Sequence, residues 1–467
     1  LVRESLWVDE LHTAWCAGGS LGEVAERAAI GNQSPLYFWF MWLLTRLLGA
    51  SELTFRLPSL VAGSLLPLAA YWVCWRWIRM PIAGLVAAVL IVIDPMSIFY
   101  ATEARPYALV QLLAVVHVAI VVELVERPTV WLRAAVVVGA ALLFHLHYTA
   151  ALLLVAELVY WVVASALAPH EVRYRWPAAV IDASLVLLAC VPALPNLLAI
   201  FDRRDNWAGF VQQRPLLEFF EVLPWSASVL FVLAALMVSR VLGRSRLPLT
   251  THHSPLTQLL ALCWLLVPLC LAWVLTVSDV ARLSFPRYLV ASAPAAFILV
   301  ACCVALAPWR WARFFVGALV IAVALWNWTP HSRQEDWRGA IAWLNEQRAD
   351  APHPVLVFSG LIESDGLCQP HDRLLEDYCL YPVTSLYRVK ADRGELVPLP
   401  INDPAHLEPP SHKLMTRRGG AWVVIRGSER AAALVVKQLN AASSGNWQLR
   451  SQTRFGNVHV GLIESDS

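Results

Sequence analysis

Apolar runs of about 20 residues, each long enough to cross a bilayer, recur along the first two thirds of the chain and are separated by short polar turns. They predict spans at 56–78, 81–99, 106–125, 130–146, 148–167, 177–200, 222–241, 256–277, 288–306 and 311–328. The stretch 35–48 is apolar but short, and Arg46 interrupts it, so it predicts an interfacial helix lying in the membrane plane. After position 330 the apolar runs stop. The pattern there predicts a helix over 337–348, strands over 354–358 and 422–425, a helix over 429–439 and an extended segment over 458–463. The fold class is therefore an α-helical polytopic membrane protein of about ten spans with a C-terminal α/β domain. We divide it into an outer loop with interfacial helices (1–55), a transmembrane helical domain (56–329) and a soluble extracytoplasmic domain (330–467).

Arginine sets the orientation, because cytoplasmic turns carry an excess of positive residues. Arg76 and Arg79, Arg127 and Arg133, Arg173 and Arg175, Arg240, Arg244 and Arg246, and Arg310 and Arg313 fall in alternate turns. With those turns in the cytoplasm, the outer side holds Asp9-Glu10, the segment around Glu103, the turn His145-Leu146-His147, the loops 201–221 and 279–287, and the tail. A full span at 35–48 would put Asp9 and Glu103 on opposite faces; an interfacial helix keeps them on one.

Composition agrees: 58% of the 467 residues are hydrophobic, 15% are charged and the mean hydropathy is +0.57. A net charge of +2 supports neither nucleic-acid binding nor a polybasic lipid tether. The tail has no P-loop and no G-x-G-x-x-G, so nucleotide binding has no support. The chain begins at Leu1 without a signal-peptide pattern, which leads us to expect one further spanning helix upstream. Cys74, Cys190, Cys263, Cys270, Cys302 and Cys303 sit in apolar runs as small hydrophobes. Cys368 and Cys379 are spaced so that a disulfide would close a small loop.

The charged residues near the outer face are the candidates for chemistry. Asp9 and Glu10 are adjacent, so only one aims into a given cleft, and Asp9 is our choice. The same acids also suit the first turn of a helix. Glu103 and Arg105 lie between the aromatic end of one span and Pro106 at the start of the next. They suit a structural ion pair, or a site for a phosphate-bearing lipid, since arginine matches phosphate oxygens with two nitrogens. His145 and His147 fall on opposite faces of a helix, so a shared metal needs the helix to have ended; hydrogen bonds to carbonyls are the plainer role. Arg287, before Tyr288, suits a phosphate contact or a snorkelling anchor. Glu157 and Asp182 lie within spans and must face protein or water.

These residues resemble a known family, the GT-C glycosyltransferases that use polyprenyl-phosphate sugars, and within it the protein mannosyltransferase and lipid A aminoarabinose transferase branch. The resemblance runs through Leu6-Trp7-Val8-Asp9-Glu10, Ser34-Pro35-Leu36-Tyr37, Arg56 to Ser59 with Gly63 and Pro67, Pro95 through Tyr100, Glu103, Arg105 and Tyr107 to Leu109, His147-Tyr148, and Arg287-Tyr288 with Pro294. The chain departs from the branch in having Gln33-Ser34 where His or Lys often precedes Pro-Leu-Tyr. The resemblance implies Asp9 as catalytic base, Glu103 as second acidic residue, and Arg105 and Arg287 at the lipid phosphate. Glu10, Tyr107, His147 and Tyr288 complete the implied substrate site. It implies an inner (cytoplasmic) membrane location with the site facing the periplasm or outside, contact with membrane lipids, and an unidentified acceptor. Some members bind a divalent metal, and the sequence does not decide whether this chain does.

The chemistry fits independently of the resemblance. Inverting transfer from a sugar phosphate needs a base for the incoming hydroxyl and positive charge for the departing phosphate, and no general acid. The competing reading is a transporter or flippase, which would show inverted repeats and polar residues near the midplane. Another is a non-catalytic receptor or assembly subunit, which would not need Asp9.

Overall fold

A computed structural model of the chain describes residues 4–204, 211, 213–226, 255–305, 307, 309–368, 372–400, 419–427, 433, 436–437, 440 and 446–466. It forms two compact units, one made of Leu1–Phe55 with Ser332–Ser467 and the other of Arg56–His331. The first unit starts with α1 (Val8–Gly18), α2 (Val24–Ile30) and α3 (Pro35–Leu48). The bounds of α3 coincide with the predicted interfacial helix, with Pro35 at its first position, where a missing N–H costs nothing. Arg46 does not interrupt this helix; its guanidinium and the Trp42 indole both donate to the Gly19 carbonyl beyond α1, at 3.1 and 3.0 Å.

The membrane unit is helical. Its elements are α4 (Glu52–Arg76, beginning in the preceding segment), α5 (Pro81–Ile93), α6 (Pro95–Ala101), α7 (Tyr107–Glu126), α8 (Val130–Leu146), α9 (Ala151–Leu167), α10 (Trp176–Cys190), α11 (Leu194–Asp202), α12 (Pro255–Val277), α13 (Ala293–Ala305) and α14 (Arg310–Trp326). Among the described residues, six helices are long and apolar enough to cross a bilayer: Glu52–Arg76, Tyr107–Glu126, Tyr148–Leu167, Trp176–Asp202, Leu259–Val277 and Pro286–Ala305. The expected span 222–241 lies outside the described residues beyond position 226.

The expected straight span 81–99 is instead a broken pair, α5 and α6, bent by 70°. Pro95 has no N–H to continue α5, and the Asp94 carboxylate restarts the chain by accepting the Ser97 N–H at 2.7 Å. At Gly63 on α4, a Cβ would come within 2.2 Å of the Ala101 Cβ, so only glycine lets α4 and α6 approach this closely.

α7 is the centre of the unit, packing on α8, α9 and the 3₁₀ helix Pro286–Ser292. Its ring and aliphatic side chains join a core with Leu153, Tyr160, Trp264 and Phe297. The ionisable groups within spans have partners: Asp182 takes Arg133 and the Tyr174 hydroxyl, and Glu157 Oε2 lies 3.1 Å from His117 Nε2. That satisfies the requirement set by their position in hydrocarbon.

The first unit continues with α15 (Trp337–Gln347), β1 (Val355–Phe358), α16 (Arg373–Thr384), β2 (Leu396–Pro398), β3 (Gly420–Arg426), β4 (Asn446–Phe455) and β5 (Val458–Asp466). The sheet runs β2-β1-β3-β5-β4; β1 is parallel to β2 and β3, and β5 is antiparallel to β3 and β4. Leu356, Val423, Ile425, Trp447 and Ile463 form its core. The predicted helix 429–439 falls largely outside the described residues. Cys379 is a buried free thiol and burial pushes its ionisation up; the side chain of Cys368, its partner in the expected disulfide, is outside the described residues. α1 packs on α16: Trp15 stacks on Tyr378 and donates its Nε1–H to Asp377 at 2.9 Å, and the Tyr381 hydroxyl donates to the Ala14 carbonyl at 2.9 Å.

Candidate active site

Asp9 and Glu10 occupy the first turn of α1, where carboxylates are favoured by the exposed N–H groups and the helix dipole. Their environments differ. Glu10 is fully buried, accepts the Trp7 N–H at 3.3 Å and forms an ion pair with Arg333 at 3.4 Å. It thus fills the role of a helix-start acid that the spacing allowed. Asp9 is half-buried, on the other side of the turn.

In the membrane unit, a tight turn joins α6 to α7. The Arg105 N–H donates to the Glu103 carbonyl at 2.8 Å, and Ser59 Oγ of α4 donates to the Arg105 carbonyl at 2.8 Å. Glu103 and Arg105 are both buried, which requires each charge to be compensated. The Arg105 guanidinium lies 5.8 Å from the centre of the Tyr107 ring. Tyr107 in turn lies 5.0 Å from the Tyr100 ring and 5.6 Å from the His147 ring.

α8 ends at Leu146, so His147 stands outside the helix with extended backbone, in hydrogen-bond contact with Thr149 Oγ1 at 2.7 Å. Burial and then the positive charges of Arg105 and Arg287 push its pKa down to about 3. The ring is neutral at physiological pH. Arg287, in the 3₁₀ helix Pro286–Ser292, lies over the Phe285 and Tyr288 rings at 5.1 and 5.4 Å. His145 faces elsewhere and bonds the Ala189 carbonyl at 2.9 Å. The unit thus gathers two guanidinium groups around one uncharged imidazole, with Tyr100 and Tyr107 lining the same place. Among the described residues, no group of three or more His, Cys, Asp or Glu side chains is arranged to hold a metal ion.

Residues 32–195 match the model of the dolichyl-phosphate-mannose-protein mannosyltransferase family. The crystal structure of ArnT from Cupriavidus metallidurans bound to undecaprenyl phosphate superimposes with a TM-score of 0.50 and 13% identity, covering 99% of this chain and 94% of that one. The apo ArnT structure gives 0.45 and 14%, with the same coverage. Comparison with curated proteins returns no match. The chain has the GT-C fold. The resemblance drawn from its motifs holds at the level of the fold.

Within the GT-C frame, Glu103, Arg105, Tyr107 and His147 fall inside the family-matched stretch, while Asp9, Glu10, Arg287 and Tyr288 lie beyond it. Arg105, Tyr107, His147 and Arg287 act on one another through ring contacts and charge. Sequence reasoning gave no role to Ser59, Thr149, Arg333 or Glu335. Ser59 had a signal, since it closes the motif Arg56 to Ser59. Arg333 and Glu335 had only a mixed-charge run before α15, a pattern that usually marks a solvated helix entry.

Proposed function

We propose that the chain transfers a sugar from a polyprenyl-phosphate donor to an acceptor hydroxyl on the outer face of the inner membrane, with inversion at the anomeric carbon. The observation that carries this reading is the pair Arg105, buried, and Arg287, half-buried, acting on a neutral His147: cationic groups with aromatic neighbours suit an anionic headgroup, and guanidinium is the better match for phosphate. ArnT with undecaprenyl phosphate bound supports a donor of that class.

In this mechanism the Asp9 carboxylate takes the proton of the acceptor hydroxyl. The hydroxyl oxygen forms a bond to the anomeric carbon as the bond from that carbon to the phosphate oxygen breaks. Polyprenyl phosphate departs as an anion, and Arg105 and Arg287 stabilise the charge that develops on it. Glu103 is the second acidic residue of the site, and Tyr107, Tyr288 and His147 bind substrate without adding charge. Glu10 contributes through its bond to the Trp7 N–H, which holds the turn that carries Asp9. The acceptor is a lipid, glycan or protein hydroxyl.

The test is transfer by purified protein in lipid nanodiscs, from a panel of undecaprenyl-phosphate-linked hexoses and pentoses, with membrane extract as the source of acceptor. Release of undecaprenyl phosphate by wild type and its loss in Asp9→Asn supports the reading. Undiminished release by Asp9→Asn removes it, and no release from any donor favours the transporter or flippase.

A further inference from the structure

We infer that Glu335 is a positioning residue for Asp9, so that the C-terminal domain sets the aim of the catalytic turn. The inference rests on the proposed role of Asp9. α1 begins at the N-cap Trp7, with extended backbone, whose N–H goes to Glu10 in the first turn. The first N–H of the helix, Val8, is received by Glu335 Oε2 at 3.0 Å, from 327 positions along the chain. The same oxygen accepts the Trp337 indole N–H at 2.9 Å, and Oε1 accepts Arg426 Nε at 2.6 Å.

The backbone of Glu335 takes part as well, its carbonyl accepting the Ser5 hydroxyl at 2.7 Å, while Ser5 Oγ accepts the Trp337 N–H at 3.1 Å. Tyr387 receives the Leu6 N–H at 2.7 Å and hydrogen-bonds in turn to the Glu52 carboxylate. Arg333 pairs with both Glu4, at 2.8 Å, and Glu10. Residues 4, 5, 6, 8 and 10 are therefore all fixed by the C-terminal segment, and Asp9 sits among them. Glu335 is 7% exposed, so its charge is tolerable only with these donors in place. A loss of aim of about 1 Å at a reacting group costs roughly a hundredfold in rate, which is why a bond to the neighbouring N–H bears on Asp9.

Glu335→Gln keeps one acceptor but turns an amide N–H₂ toward either Arg426 or the Val8 and Trp337 N–H groups. With whichever undecaprenyl-phosphate sugar of the panel supports transfer, kcat is expected to fall about tenfold or more, with the donor KM within about twofold and amide exchange faster at residues 5–10. Adding Glu335→Gln to Asp9→Asn should cause no further loss of residual turnover, because the two act as one unit. Arg426→Gln should reproduce the kcat loss and Arg426→Lys should largely restore it; this pair decides the matter if Glu335→Gln fails to fold. Wild-type kcat in Glu335→Gln or Arg426→Gln, or an equal further loss in the Asp9→Asn background, would overturn the inference. Undiminished transfer in Asp9→Asn would instead sink the proposed function itself.

Discussion

Arg133 grips Asp182 with two nitrogens of its guanidinium, Nε at 2.9 Å and Nη2 at 2.8 Å, between α8 and α10. Tyr174 adds a third bond to the same carboxylate at 2.6 Å, so α8, α10 and the turn before α10 are tied at one point. Among the described residues α10 packs mainly on α8, and this tie pins the seam between them. Arg133→Leu leaves the Asp182 carboxylate with the Tyr174 hydroxyl as its remaining bond, and we expect a lower melting temperature than wild type. Arg133→Met combined with Asp182→Leu should be milder than either change alone. Thermal unfolding of the detergent-solubilised variants measures this, and equal losses in all three would show that the groups are not coupled.

The stack of Trp15 on Tyr378, with centroids 4.4 Å apart and planes 20° from parallel, joins α1 to α16. Both rings are buried, and Arg27 lies over Trp15 on the same surface, 5.0 Å from its centre. Tyr378→Ala removes the stack and opens a cavity against α1, which we expect to cost about 3–5 kcal/mol. Limited proteolysis should then cut within residues 1–55 sooner than in wild type. Tyr378→Phe keeps the stack and should resist as wild type does; if Tyr378→Ala resists equally, α1 is held by other contacts.

Six of the expected spans were legible because hydrocarbon imposes a long apolar run on any helix that crosses it, and α3 was legible to the residue as a short apolar stretch between Ser34-Pro35 and Gly49. The break at Asp94 was present in the sequence as Asp-Pro, a cap followed by a residue with no N–H, yet the apolar run continues across it and masks the signal. The union of Leu1–Phe55 with Ser332–Ser467 was not legible. It depends on bonds such as Ser5 to Glu335, between residues 330 positions apart, and no periodicity encodes such a pairing. The site divided the same way: motif residues such as Arg105 and His147 stood out by their spacing, whereas Glu335 gains its meaning only from what it touches.

His147 makes a prediction about acid. Its folded pKa is about 3, against 6.5 ordinarily, so below about pH 6.5 the unfolded chain binds a proton that the folded chain refuses. The stability contributed by the neutral ring is complete above 6.5 and is lost progressively as pH falls toward 3. We expect His147→Gln to flatten the decline of the melting temperature between about pH 4 and 6.5. Parallel curves for the two proteins would mean that the ring is not held neutral. The variant should also leave unchanged any midpoint in the activity profile between about pH 5 and 8, since His147 does not titrate there.

Arg287 separates phosphate binding from membrane anchoring. Its guanidinium lies over two aromatic rings, which would suit an arginine that only fixes the end of a helix. It also pushes down the pKa of His147, so its charge is felt in the buried cluster. A charged hydrogen bond to phosphate contributes about 1.5–3 kcal/mol, so Arg287→Ala is expected to weaken undecaprenyl phosphate binding by about tenfold to a hundredfold and to raise the apparent KM for donor by a similar factor. Arg287→Lys should recover part of the loss, because it keeps the charge but gives up the planar pair of donors. Competition with fluorescent undecaprenyl phosphate in nanodiscs measures both. An unchanged affinity in Arg287→Ala with a lowered melting temperature would assign this residue to the anchor and leave Arg105 as the phosphate contact.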